Sequence, residues 1–479
     1  MNPEVLFRVD GSPAIGLGNL VRCIALAKML NDDFEITFSC KEISEAMASE
    51  LFASNFRYNI IENELEFIAQ LHDKLIVVLD GYHFSADYQK QIKSCNTKLV
   101  CIDDLHEKEF VADLIINHTP SIDPQDYKAS PCTQFALGLD YALLRPTFLE
   151  QAKKQRTIKK IETVMICFGG SDYLNLTKTL LSIALEFPQF KKIIVVTGSA
   201  YQTTKCLIEL VSSDSRIEYR HALNEHQMLD VMQEADLAIV PASGILFEVL
   251  ASGCIAISGS FIENQELVYN NFKNARCIID AGNFSYQKSY EAIVEALGGD
   301  INQSILIDGQ TAIRFSKLFN QLYKEFSINL RKVTANYLDI TYGWATNSGI
   351  RRFSFQQHLI KKPEHTNWFL KKLIDINCFY SIVEYDSIPI GSIRFDISEG
   401  EAMISYLLDP MYHGQGLGQL ILKKGIEWLL IVNISGLIPI NVISGVVMKT
   451  NLPSIKAFER LGFVKIEQME NYKFEKWIY

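Results

Sequence analysis

Residues 8–27 read RVDGSPAIGLGNLVRCIALA, and the pattern of this stretch indicates how the surrounding region folds. The apolar run at residues 5–9 predicts a short buried strand before it, and the apolar spacing from Leu20 to Leu30 predicts a helix. The glycines in between predict a loop whose backbone N–H groups, at the positive end of the helix, suit an anion such as a diphosphate. A single Gly-rich loop is a weak signal, however, and the glycines could serve only the geometry of the turn.

Length and composition place the chain among globular proteins with several domains. Its 479 residues are too many for one core, and 48% hydrophobic with 21% charged residues is ordinary for folded domains. A net charge of −10 argues against a general nucleic-acid partner.

The sequence predicts neither export nor a membrane span. The N-terminus has no basic segment and no long apolar run, so we expect no signal peptide. The apolar stretch 428–448 contains Asn433, Gly436 and Pro439, which favours a helix, a loop and a strand over a span. The ten cysteines include no CxxC pair, which is typical of reduced thiols in the cytoplasm.

Apolar runs alternate with helical stretches over residues 1–152. The runs at 35–39, 76–80 and 99–104 are apolar nearly throughout, which predicts a parallel sheet covered by helices on both faces. Ligands bind such sheets at the carboxyl ends of the strands. Each polar residue at these ends is typical of a helix cap or a turn, but several on one rim indicate a site. These residues are Asp10, Asp80, Asp103, Asp104 and Asn117.

A second series of the same kind follows a basic linker at residues 153–160. The run 163–168 leads into the loop 169–171, a second candidate phosphate cradle, and a later run leads into Ser-Gly at 243–244. Glu248, in the helix after that turn, can accept hydrogen bonds from ribose hydroxyls, or it can be an acid favoured by the helix dipole. Two such domains facing each other would leave a cleft suited to a nucleotide sugar.

Several of these motifs occur together, and in this order, in one enzyme family. Residues 8–27, YALLRPTF at 141–148, CFGGSDYLNLT at 167–177 and the pair Asn264 and Gln265 resemble the UDP-2,4-diacetamido-2,4,6-trideoxy-altropyranose hydrolases of pseudaminic acid biosynthesis. The resemblance covers roughly residues 4–320. It implies two Rossmann-like domains in a GT-B-like arrangement, and metal-independent hydrolysis of a UDP-sugar to UDP and the free sugar, with inversion at the anomeric carbon.

The loops, the rim and the resemblance together give a candidate site. The expected catalytic residues are Asp10, Asn19, Arg22 and Asp103. The expected substrate-binding residues are Gly16, Gly18, Gly169, Gly170, Ser171, Ser243, Gly244, Glu248, Asn264 and Gln265.

One position departs from the family pattern. The family loop reads G-x-G-His, and its His is the proposed base that activates water, whereas this chain has Asn19. An amide can hold a water molecule but cannot accept its proton at neutral pH. Arg22 and the amides of residues 169–171 could stabilise the charge on the leaving UDP. The alternative bases, beginning with the nearest in sequence, are Asp10, Asp103, Asp104, His83 and His106.

Residues 328–479 predict a third domain, of the α+β class. A strand at 403–408 is followed by YHGQGLG at 412–418 and a helix, and Asn451 caps a further helix that ends near Gly462. The combination H-G-Q-G-L-G…N-x-x-S-x-x-x-F-x-x-L-G-F resembles the GCN5-related N-acetyltransferases. That resemblance implies acetyl-CoA as co-substrate, held by Leu408, Gln415, Gly416, Gly418, Asn451 and Ser454.

This domain departs from the acetyltransferase pattern at one position, and residues upstream of the Gly-rich loop indicate its substrate class. Phe458 stands where the family often has a Tyr that protonates the leaving CoA thiolate. By residue type the substitutes are Ser454, Tyr406 and Tyr472, and the candidate bases for the attacking amine are Glu401 and His365. The pattern that is similar to enzymes acetylating UDP-4-amino-sugars consists of Trp344, Asn347, Arg351, His365, Trp368 and Phe369.

The sequence therefore predicts a bifunctional cytoplasmic enzyme with domains at 1–152 (sugar side), 153–327 (UDP side) and 328–479 (acetyltransferase). It would acetylate a UDP-4-amino-sugar with acetyl-CoA and then hydrolyse the diacetamido product, with no metal, nucleic acid or membrane partner. The alternative is a GT-B-like glycosyltransferase or nucleotide-sugar binding domain, with Asn19 marking the loss of hydrolysis, joined to an active acetyltransferase. A non-catalytic scaffold is a third interpretation.

Overall fold

The fold is known from a computed structural model of the chain. It describes residues 3–12, 15–154, 156–169, 172, 174–198, 201, 205–299, 306–434 and 440–478. The chain divides into two compact units: residues 1–129 with 135–318, and residues 130–134 with 319–479. Among the described residues, no helix combines the length and the apolar character needed to cross a membrane.

The first unit begins with a doubly wound α/β sheet. Seven strands lie in the order β3-β2-β1-β4-β5-β7-β9, and β6 pairs with β8 separately. The strands are β1 Glu4–Val9, β2 Glu35–Cys40, β3 Arg57–Ile60, β4 Ile76–Asp80, β5 Lys98–Ile102, β6 Glu109–Phe110, β7 Leu114–Asn117, β8 Lys128–Ala129 and β9 Gln134–Leu137. The helices are α1 Gly18–Leu30, α2 Glu45–Ala53, α3 Glu64–Ala69, α4 Ala86–Ser94 and α5 Pro146–Ala152.

A second sheet of the same type follows in this unit. Its six strands lie in the order β12-β11-β10-β13-β14-β15, and neighbouring strands are parallel. The strands are β10 Thr163–Cys167, β11 Lys192–Thr197, β12 Ile217–His221, β13 Leu237–Pro241, β14 Ile255–Gly259 and β15 Ile279–Asp280. The helices are α6 Leu176–Leu185, α7 Lys205–Ser213, α8 Glu225–Glu234, α9 Gly244–Ala251, α10 Glu266–Asn274 and α11 Tyr286–Gly298. The next helix, α12 Thr311–Lys324, includes residue 318, at which the first unit ends.

The strand orders locate the ligand crevice of each sheet. In the first sheet the order reverses between β1 and β4, and in the second between β10 and β13. Loops at such a switch point diverge to opposite faces and leave a crevice at the carboxyl ends of the strands. The loops after β1 and β10 are the two Gly-rich loops of the sequence, so topology and motif indicate the same places.

The second unit is built on a mostly antiparallel sheet. The strand order is β16-β17-β18-β19-β20-β22-β21, and β19 and β20 are the parallel pair. The strands are β16 Ile328–Lys332, β17 Cys378–Tyr385, β18 Ile388–Ser398, β19 Glu401–Leu408, β20 Val442–Met448, β21 Val464–Glu467 and β22 Asn471–Trp477. The helices are α13 Leu338–Thr346, α14 Ser348–Arg351, α15 Lys362–Ile374, α16 Leu417–Ile434 and α17 Leu452–Arg460.

The structure confirms the parallel sheets and adds local detail that the apolar pattern alone does not give. Helix α6 begins at Leu176, because the Asp172 carboxylate accepts the N–H groups of Leu176 and Thr177 and so fixes its start. The segment 141–148 contains the start of α5, since Pro146 suits a first helical position. After α17 the chain forms the hairpin β21–β22.

A buried arginine lies in the middle of the first sheet. The Arg8 side chain on β1 has no solvent exposure, and it donates to Asp10 at 2.8 Å and to Glu64 at 2.6 Å. Burial opposes ionisation of both carboxyls, but the hydrogen bonds and charge of Arg8 outweigh it and lower the pKa of Asp10 and of Glu64. Arg8 thus connects β1 to the start of α3.

Replacement of Arg8 should destabilise the first unit. Arg8→Met leaves two partly buried carboxylates without their cation, so the free energy of unfolding should fall by about 2–4 kcal/mol in denaturant titrations. The control is Arg57→Met, because Arg57 is 65% exposed in its pair with Glu35 and should change stability by less than about 1 kcal/mol. Equal losses in the two variants would contradict this role of Arg8.

Candidate active sites

The rim of the first sheet is organised around Arg22. This residue lies one turn into α1, and its Nε and Nη2 donate to the Asp80 carboxylate at 2.6 and 2.7 Å. Its Nη1 donates to Asp104 at 2.6 Å, and the Tyr82 hydroxyl donates to the other Asp104 oxygen at 3.0 Å. Asp80 ends β4 and Asp104 follows β5, so one guanidinium connects α1 to two neighbouring strand ends.

The arrangement keeps Asp104 ionised. Burial alone would raise the pKa of its carboxyl, but the charge of Arg22 and the hydrogen bonds from Arg22 and Tyr82 lower it below its usual value. The same two carboxylates, Asp80 and Asp104, already compensate the charge of Arg22. Arg22 therefore serves directly to position acidic groups at the rim.

Asn19 belongs to the same rim. It is the second residue of α1 and half-buried, and it precedes Arg22 by three positions, which puts both on one face of the helix. The loop before it leaves open space, because a Cβ added at Gly16 or Gly18 would meet no atom within 4 Å. The N-cap residue of α1 is Leu17, and its side chain has no hydrogen-bond acceptor. The first N–H groups of α1 therefore lack a side-chain cap.

The other two expected catalytic acids lie in separate hydrogen-bond networks. The Asp10 oxygen that binds Arg8 also accepts the backbone N–H groups of Lys41 and Glu42 at 2.6 and 3.1 Å. Asp103 is buried, and one of its oxygens accepts the N–H groups of Leu105 and His106. Asp103 thus has the geometry of a turn cap, while Asp104 next to it contacts Arg22.

The loops of the second sheet supply the other expected substrate-binding residues. Gly169 has φ +76°, and a Cβ there would meet open space, while Gly170 and Ser171 lie outside the described residues. Ser243 is the N-cap residue of α9, but its side chain accepts no hydrogen bond from the first turn, and Gly244 begins the helix. The backbone N–H groups at the start of α9 therefore have no side-chain cap.

The pair Asn264 and Gln265 lies in a short 3-10 turn at Glu263–Gln265. The side chain of Gln265 is buried, and its Oε1 accepts the N–H of Phe261 at 3.4 Å. The side chain of Asn264 lies outside the part that the structure describes.

Glu248 has a protein partner. Its Oε1 accepts two hydrogen bonds from Arg145, at 3.0 Å from Nε and 2.6 Å from Nη2. Burial raises the pKa of Glu248, and the charge of Arg145 only partly offsets this effect. Arg145 precedes α5, so the pair fastens the segment after the first sheet to α9 of the second.

His118 was not singled out in the sequence and lies close to this contact. It follows β7, it is buried, and its ring stacks on Phe247 of α9 with 4.0 Å between centroids. Its Nδ1 accepts the N–H of Leu143 at 3.0 Å, so Nε2 carries the proton. Burial and the charge of Arg22 lower its pKa to about 3, so at neutral pH it is an uncharged hydrogen-bond donor. In the sequence, the one feature that could have indicated His118 is its position directly after an apolar strand.

The candidate coenzyme site of the second unit is a loop between β19 and α16. Gly414 and Gly416 have φ near +78° and +79°, and a Cβ on either would meet no atom within 4 Å. Gln415 is exposed, and the Asp409 carboxylate fixes the base of the loop by accepting the indole N–H of Trp344 at 2.9 Å. The loop therefore has open space next to its glycines and a hydrogen bond that anchors its first residues.

Next to this loop two strands separate. The pairing of β19 with β20 covers only Glu401–Ile404 against Val442–Gly445, although β19 continues to Leu408 and β20 to Met448. Beyond that point the two facing strand edges have no ladder hydrogen bonds to each other. Such edges can pair with an extended ligand that carries amide groups.

The helix after β20 brings further predicted residues to this gap. Asn451 is the N-cap of α17, and its Oδ1 accepts the N–H of Ser454 at 3.3 Å. The Ser454 hydroxyl accepts a hydrogen bond from the Tyr406 hydroxyl at 2.9 Å. The ring of Phe458 covers Gly445, whose Cβ position is 2.6 Å from the ring.

Three other candidates for proton transfer have different surroundings. His365 is buried, its Nε2 lies 3.1 Å from the Thr341 hydroxyl, and burial lowers its pKa. Glu401 forms an ion pair with Lys473 at 3.1 Å. Tyr472 packs against the ammonium of Lys465, which lies 4.1 Å from its ring centre.

The buried state of His118 predicts a specific pH dependence of stability. The folded protein keeps the ring neutral down to about pH 3, whereas the unfolded chain takes up a proton below the ordinary pKa of 6.5, so stability falls as the pH falls below 6.5. Between pH 6.5 and about 5.5 the wild type should lose about 1 kcal/mol more than His118→Gln in denaturant titrations. His72→Gln, at an exposed histidine, is the control and should retain the wild-type pH dependence. Identical curves for the wild type and His118→Gln would contradict the assignment.

Comparison with known proteins finds matches for both parts of the chain. Residues 327–464 match the family model of the acetyltransferase (GNAT) domain. The whole chain is 23% identical over 499 residues to an uncharacterized protein of Methanocaldococcus jannaschii, with 99% of each covered. One of the similar solved structures is spermidine N-acetyltransferase from Vibrio cholerae in complex with CoA and spermine, at 16% identity, 32% of this chain, 95% of that chain and a TM-score of 0.29.

The N-terminal region matches two proteins with assigned names. It is 29% identical over 273 residues to the UDP-2,4-diacetamido-2,4,6-trideoxy-beta-L-altropyranose hydrolase of Campylobacter jejuni, covering 55% of this chain and 93% of that protein. It is 26% identical over 337 residues to the spore coat polysaccharide biosynthesis protein SpsG of Bacillus subtilis, covering 66% and 97%. The chain therefore joins a region homologous to that hydrolase and to SpsG with a C-terminal GNAT acetyltransferase domain.

Proposed function

We propose that this chain carries out two consecutive reactions on a UDP-linked amino sugar. Residues 328–479 transfer the acetyl group of acetyl-CoA to the 4-amine, and residues 1–327 then hydrolyse the diacetamido product to UDP and free sugar. The observation that carries the proposal is the Arg22–Asp104 contact beside Asn19, at the switch point of a region homologous to a UDP-sugar hydrolase.

The loop before α16 is the proposed acetyl-CoA site. Backbone N–H groups of Gln415, Gly416 and Gly418 at the helix start would hold the pyrophosphate, and the open space at the glycines fits a bulky anion. Leu408 and Asn451 flank the gap between β19 and β20, whose free edges suit the amide-bearing arm of the coenzyme. Acetyl-CoA supplies the activated acyl group.

In the first unit we assign the UDP to the second sheet and the sugar to the first. The residues proposed to contact the nucleotide are Gly169, Gly170, Ser171, Ser243, Gly244, Glu248, Asn264 and Gln265. The uncapped start of α9 and the Gly-rich turns offer N–H donors to a diphosphate. Gly16 and Gly18 leave room at the start of α1 for the sugar. This assignment corresponds to a GT-B-like arrangement with domains 1–152 and 153–327.

We assign the role of base in hydrolysis to Asp104. Its carboxylate is ionised and contacts Arg22, which lies one turn after Asn19 on α1, and the Asn19 amide can orient a water molecule. The water oxygen attacks the anomeric carbon on the face opposite UDP, its proton passes to Asp104, and the bond to UDP breaks with the electron pair on the phosphate oxygen. Asp10 is the second candidate, because one of its oxygens makes no contact with Arg8.

One observation favours the alternative of a glycosyltransferase or nucleotide-sugar binding domain without hydrolysis. Asn19 cannot take the proton of water, and Asp104 already accepts hydrogen bonds from Arg22 and Tyr82. In that case the first unit would bind UDP without releasing it from the diacetamido sugar in water.

The base assignment predicts a large effect of one isosteric change. Asp104→Asn should lower the rate of UDP release from a UDP-2,4-diacetamido-2,4,6-trideoxyhexose by about 10²–10⁴-fold, because an amide cannot accept the proton. Asp87→Asn is the control, since Asp87 is 86% exposed on α4 and should leave the rate unchanged. If Asp104→Asn keeps the wild-type rate and Asp10→Asn abolishes it, Asp10 is the base instead.

The coenzyme site predicts a separate effect in the second unit. Gly416→Ala puts a Cβ on a residue with φ +79°, which strains the loop and displaces its amides, so the KM for acetyl-CoA should rise about tenfold. Gly298→Ala at the end of α11 adds the same methyl group in open space and should have no effect. An unchanged KM in Gly416→Ala would remove this loop from the coenzyme site.

A further inference from the structure

Tyr406 and Ser454 form a hydrogen-bonded pair beside the gap between β19 and β20. Ala402 and Ile404 on β19 are buried, and the strand alternation turns Tyr406 to the same face, toward the helices. Its ring carbon Cε2 lies 4.0 Å from the Cβ position of Gly418 at the start of α16. Its hydroxyl donates to the hydroxyl oxygen of Ser454 in the first turn of α17. One pair of hydroxyls therefore lies between the starts of the two helices.

The gap itself borders this pair. β19 and β20 stop pairing at Ile404 and Gly445, and Phe458, one turn after Ser454, covers Gly445. The ring of Tyr406 meets Phe458 edge-on, with 6.3 Å between centroids. Phe458 has no proton to give, and the Tyr406 and Ser454 hydroxyls lie beside it as a hydrogen-bonded protic pair.

We propose that Ser454 is the acid that protonates the thiolate leaving group in acetyl transfer, and that Tyr406 positions and supports it. The inference rests on the proposed acetyltransferase reaction of this site. The amine nitrogen forms a bond to the acyl carbon, the carbon–sulfur bond breaks with its electron pair on sulfur, and the Ser454 proton passes to sulfur. The Tyr406 proton passes to the serine oxygen, and the proton lost by the amine returns to Tyr406 through solvent.

The distance between the two hydroxyls supports this order. Their oxygens lie 2.9 Å apart, and when the Tyr406 O–H donates to Ser454 the proton of Ser454 is free to point to a further acceptor. Burial raises the pKa of Tyr406 to about 12, so its hydroxyl stays protonated at neutral pH. Ser454 is also not the cap of its helix, since Asn451 accepts the cap hydrogen bond, and removal of its hydroxyl leaves α17 capped.

The test uses the full-length chain with acetyl-CoA and a UDP-linked 2-acetamido-4-amino-2,4,6-trideoxyhexose, and follows the CoA thiol. Ser454→Ala should lower kcat by about 10²-fold with little change in the KM for acetyl-CoA. Ser454→Thr should retain activity, and Tyr406→Phe should lower kcat less than Ser454→Ala. The double variant should be no slower than Ser454→Ala, because both substitutions interrupt one relay.

A second readout does not depend on turnover. With CoA alone as the probe, the proton affinity of the bound thiol, measured by thiolate absorbance, should rise about tenfold in Ser454→Ala, because a donor to the thiolate is lost. The control is Tyr380→Phe, which removes another buried tyrosine hydroxyl, one that bonds Ser392, and should change neither readout.

Failure of the acetyltransferase function and failure of the Ser454–Tyr406 relay give different results. If the wild type releases no CoA thiol from this substrate, the proposed acetyl transfer fails. If the wild type is active but Ser454→Ala keeps kcat within about twofold and leaves the thiol titration unchanged, the Ser454–Tyr406 relay is overturned while the acetyltransferase function stands.

Discussion

The candidate hydrolase site depends on burying one guanidinium against two carboxylates. Arg22 reaches from α1 to the ends of β4 and β5, and its bonds to Asp80 and Asp104 are all 2.6–2.7 Å. Each of these charges would be costly to bury alone, so the three groups hold one another at the rim. This constraint fixes the start of α1, and with it Asn19 and the glycine loop, relative to the strand ends.

Gly-rich turns lead into two helices that have different surroundings. Such a turn precedes α1 and α16, where the helix start can offer N–H donors to an anion, whereas Asp172 already accepts the N–H groups of Leu176 and Thr177 at the start of α6. What differs is the neighbouring chemistry. The acidic partners of Arg22 and a neutral His118 lie near the first turn of α1, whereas two separating strands and the Tyr406–Ser454 pair border the loop before α16. Similar helix starts in this chain therefore lie beside different sets of reactive side chains.

Much of the fold could be predicted from local patterns. The apolar runs indicated parallel sheets, the glycines indicated loops at their carboxyl ends, and the motifs indicated the homology of both parts. The side-chain partners could not be predicted, because they join distant residues. Arg22 meets acids 58 and 82 positions away, and Glu248 meets Arg145 across 103 positions. His118 was missed because its surroundings, Phe247 and Leu143, are assembled only by the tertiary fold.

One time course tests most directly whether the two parts act on one substrate. The wild-type chain is mixed with a UDP-linked 2-acetamido-4-amino-2,4,6-trideoxyhexose, with and without acetyl-CoA, and CoA thiol and UDP are measured together. If both reactions take place on one substrate, UDP appears only when acetyl-CoA is present, after a lag in which the acetylated UDP-sugar accumulates. Release of CoA thiol without any release of UDP, or release of UDP without acetyl-CoA, would contradict the two-reaction proposal.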